Sequence, residues 1–197
     1  MKGVPGTKYE KIKVKSTCDK NDTFSTIVGL NYCEERFLNK IKDLENKNVC
    51  KNKITYVQGD LLNCPSNYYI VHCANEAMFT GNEEPVGLCK ILDEQYNLRK
   101  WADKNWDYIH FEVSSIVVKD NLITLIVAGN RYSQVTEDVL SDALENVANF
   151  VEEQCISNIA MPKICSGRSN GLPWETTEKI INEVFADVDV NIFVYEK

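Results

Sequence analysis

From Ile54 onward the apolar positions change period at regular intervals. ITYVQGDLL (54–62) predicts a strand that ends at Gly59 and Asp60. YYIVHCAN (68–75), an almost unbroken apolar run, predicts a buried strand. GLCKILDEQYNLRKWADK (87–104) sets Leu88, Ile91, Leu92 and Leu98 at helical spacing, and YIHFEVSSIVV (108–118) with NLITLIVA (121–128) predicts a hairpin turning at Lys119, Asp120 and Asn121. The clearest helix is TEDVLSDALENVANFVEEQ (136–154). Thr136 can cap it, Glu137 and Asp138 suit the positive end of its dipole, and Leu140, Leu144, Val147 and Val151 form one stripe. SNIAMPKI (157–164) predicts a strand, LPWETTEKIINEVFAD (172–187) a helix, and VNIFVYEK (190–197) a last strand.

Strands that alternate with helices imply a largely parallel or mixed sheet with helices on both faces, and in such sheets ligands bind beyond the carboxyl ends of the strands. Residues 1–52 do not continue the rhythm. STIVGL (25–30) suggests a strand and YCEERFLNKIKDLE (32–45) a short amphipathic helix, but the Lys/Asn-rich flanks read as a partly ordered extension, leaving 53–197 as one domain. The whole chain has 197 residues, 44% apolar and 26% charged, with 9 Gly, which excludes disordered and collagen-like classes. No apolar run approaches the roughly 18 residues of a membrane span. The start, MKGVPGTKYEKIKVK, lacks the apolar region of a signal peptide, so a soluble intracellular protein, cytoplasmic or nuclear, is expected, with no membrane association.

The net charge of −7 is unevenly spread. Residues 1–52 carry 11 Lys/Arg against 7 Asp/Glu, and residues 53–197 carry 11 against 22. So acidic a domain is not expected to hold nucleic acid through phosphate contacts. Eight cysteines (18, 33, 50, 64, 73, 89, 155 and 165) show no CxxC spacing, and His72 and His110 are the only histidines. Reduced, mostly buried thiols are therefore expected, with no metal and no cofactor.

The segment that carries chemistry is MPKICSGRSNGLPWE, 161–175. A strand delivers the chain into Cys165, Ser166, Gly167, Arg168, Ser169, Asn170 and Gly171, and a helix begins near Pro173, whose fixed φ suits the first turn. Small residues let backbone N–H groups approach an anion, and the helix start adds positive potential, the outline of a phosphate cradle. A tight strand-to-helix connection needing glycine for positive φ would use the same residues. Neither the P-loop pattern nor GxGxxG is present. Gly59-Asp60-Leu61 follows the first strand. A carboxylate there can accept from an exocyclic amine, or it can simply cap a turn.

In order, ITYVQGDLL, IVHCAN, VGLCKIL, MPKICSGRSNGLPWE and a terminal strand ending FVY resemble the macro domain, an ADP-ribose-binding module, over about Ile54 to Lys197. GDL followed by CP, the IVHC strand and the MP and PWE flanks are similar to the branch with terminal ADP-ribose protein glycohydrolase and ADP-ribose 1''-phosphate phosphatase activities. The resemblance implies a three-layer α/β/α fold around a mixed, mostly parallel sheet. It also implies ADP-ribose or an ADP-ribosylated protein as partner, hydrolytic activity on an ADP-ribose derivative, and a monomer. On it, Asp60 would meet the adenine amine and Leu61 would lie beside the ring. Asn75 would face the distal ribose, Gly87 would keep the register of the glycine loop, and the backbone from Cys165 through Gly171 would wrap the diphosphate. Cys73 and Cys165 would sit near the ligand as small neutral residues. His72 lies on the strand where phosphatase-like members carry a histidine, and an imidazole titrating near neutrality suits proton transfer; a histidine buried in the strand and satisfied by hydrogen bonds is the other reading. Arg168 could hold a phosphate bidentately or stand solvated at a loop tip.

Three departures from the branch stand out. Its GxGIA loop becomes NEAMFTGNEEPVGLCKIL, in which only Gly87-Leu88-Cys89 keeps register, and free carboxylates at Glu83 and Glu84 would each repel a diphosphate by about 2 kcal/mol at roughly 8 Å. The branch's nucleophilic lysine falls on Ala128 or Gly129, neither of which can form a Schiff base. Its loop aspartate falls on Arg168, Ser169 or Asn170. Hydrolysis without the lysine, a non-catalytic ADP-ribose reader, and a macro fold used only as an interaction surface are the three expectations.

Overall fold

A computed structural model of the protein describes residues 54–105, 111–166 and 170–196. The strand and helix expected within 1–52, the segment 108–110 of the expected hairpin with His110, and Gly167, Arg168 and Ser169 lie outside the described residues. The elements run β1 (Ile54–Gln58), a 3-10 turn (Leu61–Asn63), β2 (Tyr69–Asn75), α1 (Glu76–Phe79), α2 (Leu88–Tyr96), α3 (Leu98–Lys104), β3 (Ile116–Lys119), β4 (Leu122–Ala128), α4 (Glu137–Glu153), β5 (Asn158–Met161), α5 (Trp174–Val184) and β6 (Asn191–Glu196).

The six strands form one sheet in the order β1-β6-β5-β2-β4-β3. All neighbours are parallel except β3 and β4, the hairpin. Parallel strands need crossovers that cover both faces, so the inner strands must be apolar on both sides. β4 meets that demand with all seven residues buried. Leu122 and Ile126 join Ile70 and Ala74 of β2 against Met78, Phe79, Leu92 and Leu98 on one face. Ile123, Leu125 and Val127 join Val71 against Leu140, Leu144, Val147 and Val151 of α4 and Ile180 and Ile181 of α5 on the other. This is the three-layer α/β/α arrangement, with its core divided by the sheet.

Two elements differ from the sequence pattern. The helix expected over 87–104 is broken at Asn97, which adopts a left-handed conformation (φ 49°). Asparagine tolerates that region better than most residues. The buried Asp93 then starts α3 by accepting from the Arg99 backbone N–H and from its Nε, both at 2.9 Å. The first hairpin strand is shorter than expected because Ser114 has φ 73° and the Ser115 N–H closes a turn on the Glu112 carbonyl at 3.0 Å. The turn between β3 and β4 falls where expected, with Asp120 at φ 54°.

The stripe of α4 is inaccessible to solvent at Leu140, Leu144 and Val147, and Thr136 caps the helix by accepting from the Val139 N–H. Truncating Leu144→Ala removes three carbons from a closed core and should cost about 2–5 kcal/mol in denaturant-induced unfolding, with the midpoint shifted and the slope unchanged.

Candidate functional site

The parallel strands β2, β4 and β5 end on one side of the sheet, and the connections that follow them enclose a cavity of about 350 Å³. Its walls come from β2 and the segment before α2 (Asn75, Glu83, Gly87), from the β4–α4 connection (Asn130, Arg131, Ser133), and from the β5–α5 connection (Cys165, Asn170, Gly171). Sequence reasoning placed His72, Asn75, Gly87, Cys165, Asn170 and Gly171 at one site, and all six line this cavity. Ser166 adjoins it, its hydroxyl donating to the Lys163 carbonyl at 2.8 Å. Asp60 and Leu61 are not among the lining residues. Asp60 caps the 3-10 turn by accepting from the Leu62 N–H at 3.1 Å, and Leu61 is packed into the core.

Backbone irregularities aim several of these groups. The β2–β4 register slips between Ala74 and Asn75, so that Asn75 pairs with Ala128 rather than continuing the ladder. Such a slip re-aims a side chain at a strand end. Asn75 Oδ1 caps α1 by accepting from the Met78 N–H at 2.8 Å, while its Nδ2 donates to Glu83 at 3.0 Å. Gly87 begins α2 at φ 57°, ψ −134°. That region is open essentially to glycine alone, although a Cβ there would meet no atom within 4 Å. Cys165 has φ 58° and its carbonyl accepts from the Leu172 N–H at 2.9 Å.

The two carboxylates that precede Gly87, Glu83 and Glu84, are both compensated. Glu83 accepts from the Arg131 backbone N–H at 3.1 Å, from its Nε at 3.2 Å and from Asn75. Burial would raise its pKa, but the hydrogen bonds from Arg131 and Asn75, with the guanidinium charge, outweigh that and hold the carboxyl below the usual range. Glu84 turns outward to Arg99 Nη1 at 3.1 Å, and Arg99 in turn is held by Asp93. The repulsion expected from free charges here is therefore largely cancelled by paired cations. Asn170 Nδ2 donates to the carbonyls of Arg131 (2.9 Å) and Ser133 (2.7 Å), and its own carbonyl accepts from the Val135 N–H. Glu83, Arg131 and Asn170 thus tie the three walls together. The sequence showed Glu83 and Arg131 separately, but nothing in it signalled a contact 48 residues apart.

His72 sits on the face of β2 shared by Ile70 and Ala74, opposite Thr124 of β4 in the ladder. Its Nε2 lies 2.8 Å from Thr124 Oγ1, and Cys89 Sγ is 3.7 Å from its Nδ1. Only 1% of the residue is exposed. Burial pushes the imidazole down to about 4, against a smaller opposing effect of a backbone hydrogen bond at Cys73. At neutral pH the ring is therefore uncharged, a hydrogen-bonded member of the cavity floor. Ala128, at the end of β4, lines the cavity. Among the described residues no cluster of three or more His, Cys, Asp or Glu side chains is arranged to hold a metal ion. Among them also, no helix is long and apolar enough to cross a membrane.

No family model matches the sequence. Among curated proteins the chain is 30% identical over 145 residues to ADP-ribose glycohydrolase OARD1 of Bos taurus, spanning 73% of this chain and 91% of that protein. It is 28% identical over the same length to ADP-ribose glycohydrolase OARD1 of Homo sapiens. Among solved structures, the macrodomain of Thermus aquaticus DarG superposes with a TM-score of 0.60 at 19% identity, over 73% of this chain and 98% of that one.

A histidine uncharged in the fold but ionised in the unfolded chain removes stability as pH falls from about 6.5 toward about 4. Between pH 7 and pH 5 the loss should be roughly 2 kcal/mol, and His72→Asn should flatten that slope. Urea unfolding of both proteins at the two pH values reads the difference; parallel slopes would remove His72 as its source.

Proposed function

Because this chain belongs to the macro domain family, we propose that its cavity binds ADP-ribose and that the protein hydrolyses an ADP-ribose derivative at the distal ribose without an amine nucleophile. The observation that carries the reading is the cavity itself. It stands beyond the carboxyl ends of β2, β4 and β5, where open α/β sheets take their ligands. Its wall at Cys165, Asn170 and Gly171 leads into the start of α5, whose dipole adds positive potential on that side for a diphosphate. On the family resemblance Asn75, which lines the cavity, would face the distal ribose; Asp60 and Leu61 stand outside the lining, as a turn cap and a core residue, and do not support an adenine contact. The relatives named as ADP-ribose glycohydrolases over nearly their whole length supply the reaction class.

With Ala128 or Gly129 at the position where the branch carries its lysine, that position cannot form an imine with the sugar, and Lys163 on the cavity wall is paired with Glu196; in this reading the attacking group is water. The bonds open to such attack are an ester to a protein carboxylate, an acyl ester of the ribose or a 1''-phosphate. His72, uncharged at neutral pH, enters as a neutral hydrogen-bonding group and not as an imidazolium acid. Glu83 is an ionised carboxylate on the same wall, but three donors already occupy it, which lowers its basicity.

That saturation favours a second reading, a reader that binds ADP-ribose without turnover. Both readings require the ligand. Titration calorimetry should show saturable binding of ADP-ribose, and the absence of heat up to millimolar ligand with folded protein would remove both. Incubation with a protein mono-ADP-ribosylated on glutamate, and separately with ADP-ribose 1''-phosphate, then separates them. Release of free ADP-ribose above the no-enzyme rate supports hydrolysis; tight binding with no release from either substrate leaves the reader.

A further inference from the structure

Three thiols meet at the floor of the cavity, and the proposed chemistry uses none of them. Cys73 of β2 and Cys165 of the β5–α5 connection, 92 residues apart in sequence, bring their sulfurs to 3.3 Å. Cys89 of α2 reaches the same strand and donates to the Cys73 carbonyl at 2.9 Å. All three line the cavity and are partly exposed to it, so a small reagent that enters the ligand site reaches them. We propose that Cys73 and Cys165 are a redox dithiol that a peroxide converts to a disulfide, and that this bond weakens the ligand site.

The approach is unusual for two cysteines from separate elements, and little movement separates it from a covalent bond. A disulfide needs its sulfurs about 2.05 Å apart, so the pair must close by on the order of 1 Å. In the first step one thiol attacks the peroxide O–O bond, giving a sulfenic acid and releasing water. In the second the neighbouring sulfur attacks the sulfenic sulfur, its proton leaves with the displaced hydroxide as a second water, and the S–S bond forms. Two electrons pass from the two thiols to one peroxide. The hydrogen bond to Cys165 and burial hold the Cys73 thiol well above its ordinary pKa. Cys89 donates to a carbonyl and is 3.7 Å from His72 Nδ1, and takes no part in the bond.

The consequence for the ligand follows from the backbone at Cys165. This residue is already in a left-handed conformation (φ 58°), and its carbonyl anchors Leu172. Drawing its sulfur toward β2 shifts the wall that faces the diphosphate, and losing one well-aimed hydrogen bond there weakens binding by roughly tenfold. This second part rests on the reading of the cavity as an ADP-ribose site; the disulfide does not.

The full-length protein, reduced and freed of reductant, is treated with hydrogen peroxide, alkylated and digested without reductant. The expected product is a peptide joined through Cys73 and Cys165, abolished by dithiothreitol, absent in Cys73→Ser and Cys165→Ser and retained in Cys89→Ser. Should a serine variant fail to fold, the alanine replacement serves. A different dominant cross-link, or only sulfinic and sulfonic acids at these positions, overturns the dithiol. Calorimetry on the reduced and oxidised protein should show roughly a tenfold loss of ADP-ribose affinity, restored by dithiothreitol, and Cys73→Ser should not respond to peroxide. Equal affinities of the two forms overturn the switch. Absence of binding even in the reduced protein overturns the ligand reading, and the switch with it, while the peptide map still decides the dithiol.

Discussion

The structure depends on keeping a strand dry on both faces. β4 has no solvent-facing residue, and β2 beside it and β5 on the far side of β2 are nearly as enclosed. A strand in that position can carry polar side chains only where they satisfy each other. Thr124 and His72 do so by standing opposite one another in the ladder, on the same face, within hydrogen-bonding distance. The pair interrupts an otherwise apolar surface midway along both strands, and His72 is the member that reaches the cavity. Burial settles its charge: neither partner can bear one without leaving water behind, so the imidazole stays neutral well below its ordinary pKa.

Above this floor the walls obey a different rule. The loops are polar, and their charges are closed into local pairs: Glu83 with Arg131, Glu84 with Arg99, Asp93 with Arg99 again. A glycine-rich loop would offer backbone donors with little side-chain interference. Here side chains fill that space, and the loop is held open by attachment to the neighbouring connection. The same contacts turn the side chain of Asn170, a residue expected in an anion cradle, to the carbonyls of Arg131 and Ser133, while its own carbonyl accepts from the Val135 N–H.

Most of the fold was legible because its strands and helices follow simple periods. The apolar run of β4, broken only by Thr124, the stripe of α4 and the alternation of strand and helix each dictate one solution. What was hidden had a shared cause, which is that single residues with positive φ redirect the chain. Asn97 splits a helix that periodicity would continue, and Ser114 ends a strand early. At the site, the segments that line the cavity could be read from their order, since the strands that carry them are parallel. The partners of Glu83 and Glu84 could not, because Arg131 and Arg99 meet them only through tertiary folding. The proximity of Cys73 to Cys165 was likewise invisible, as their spacing matches no local motif.

Pairing the wall charges internally also fixes how the cavity meets an ionic solvent. Its ion pairs are partly shielded and their partners are a few ångströms apart, well inside the roughly 8 Å over which physiological salt screens. An anion entering such a pocket feels oriented dipoles at short range and little of the domain's acidic surplus at long range. Its affinity should consequently vary little with ionic strength, unlike that of a phosphate held by a basic patch, and an acidic protein can keep a site for an anion without recruiting a cationic surface around it.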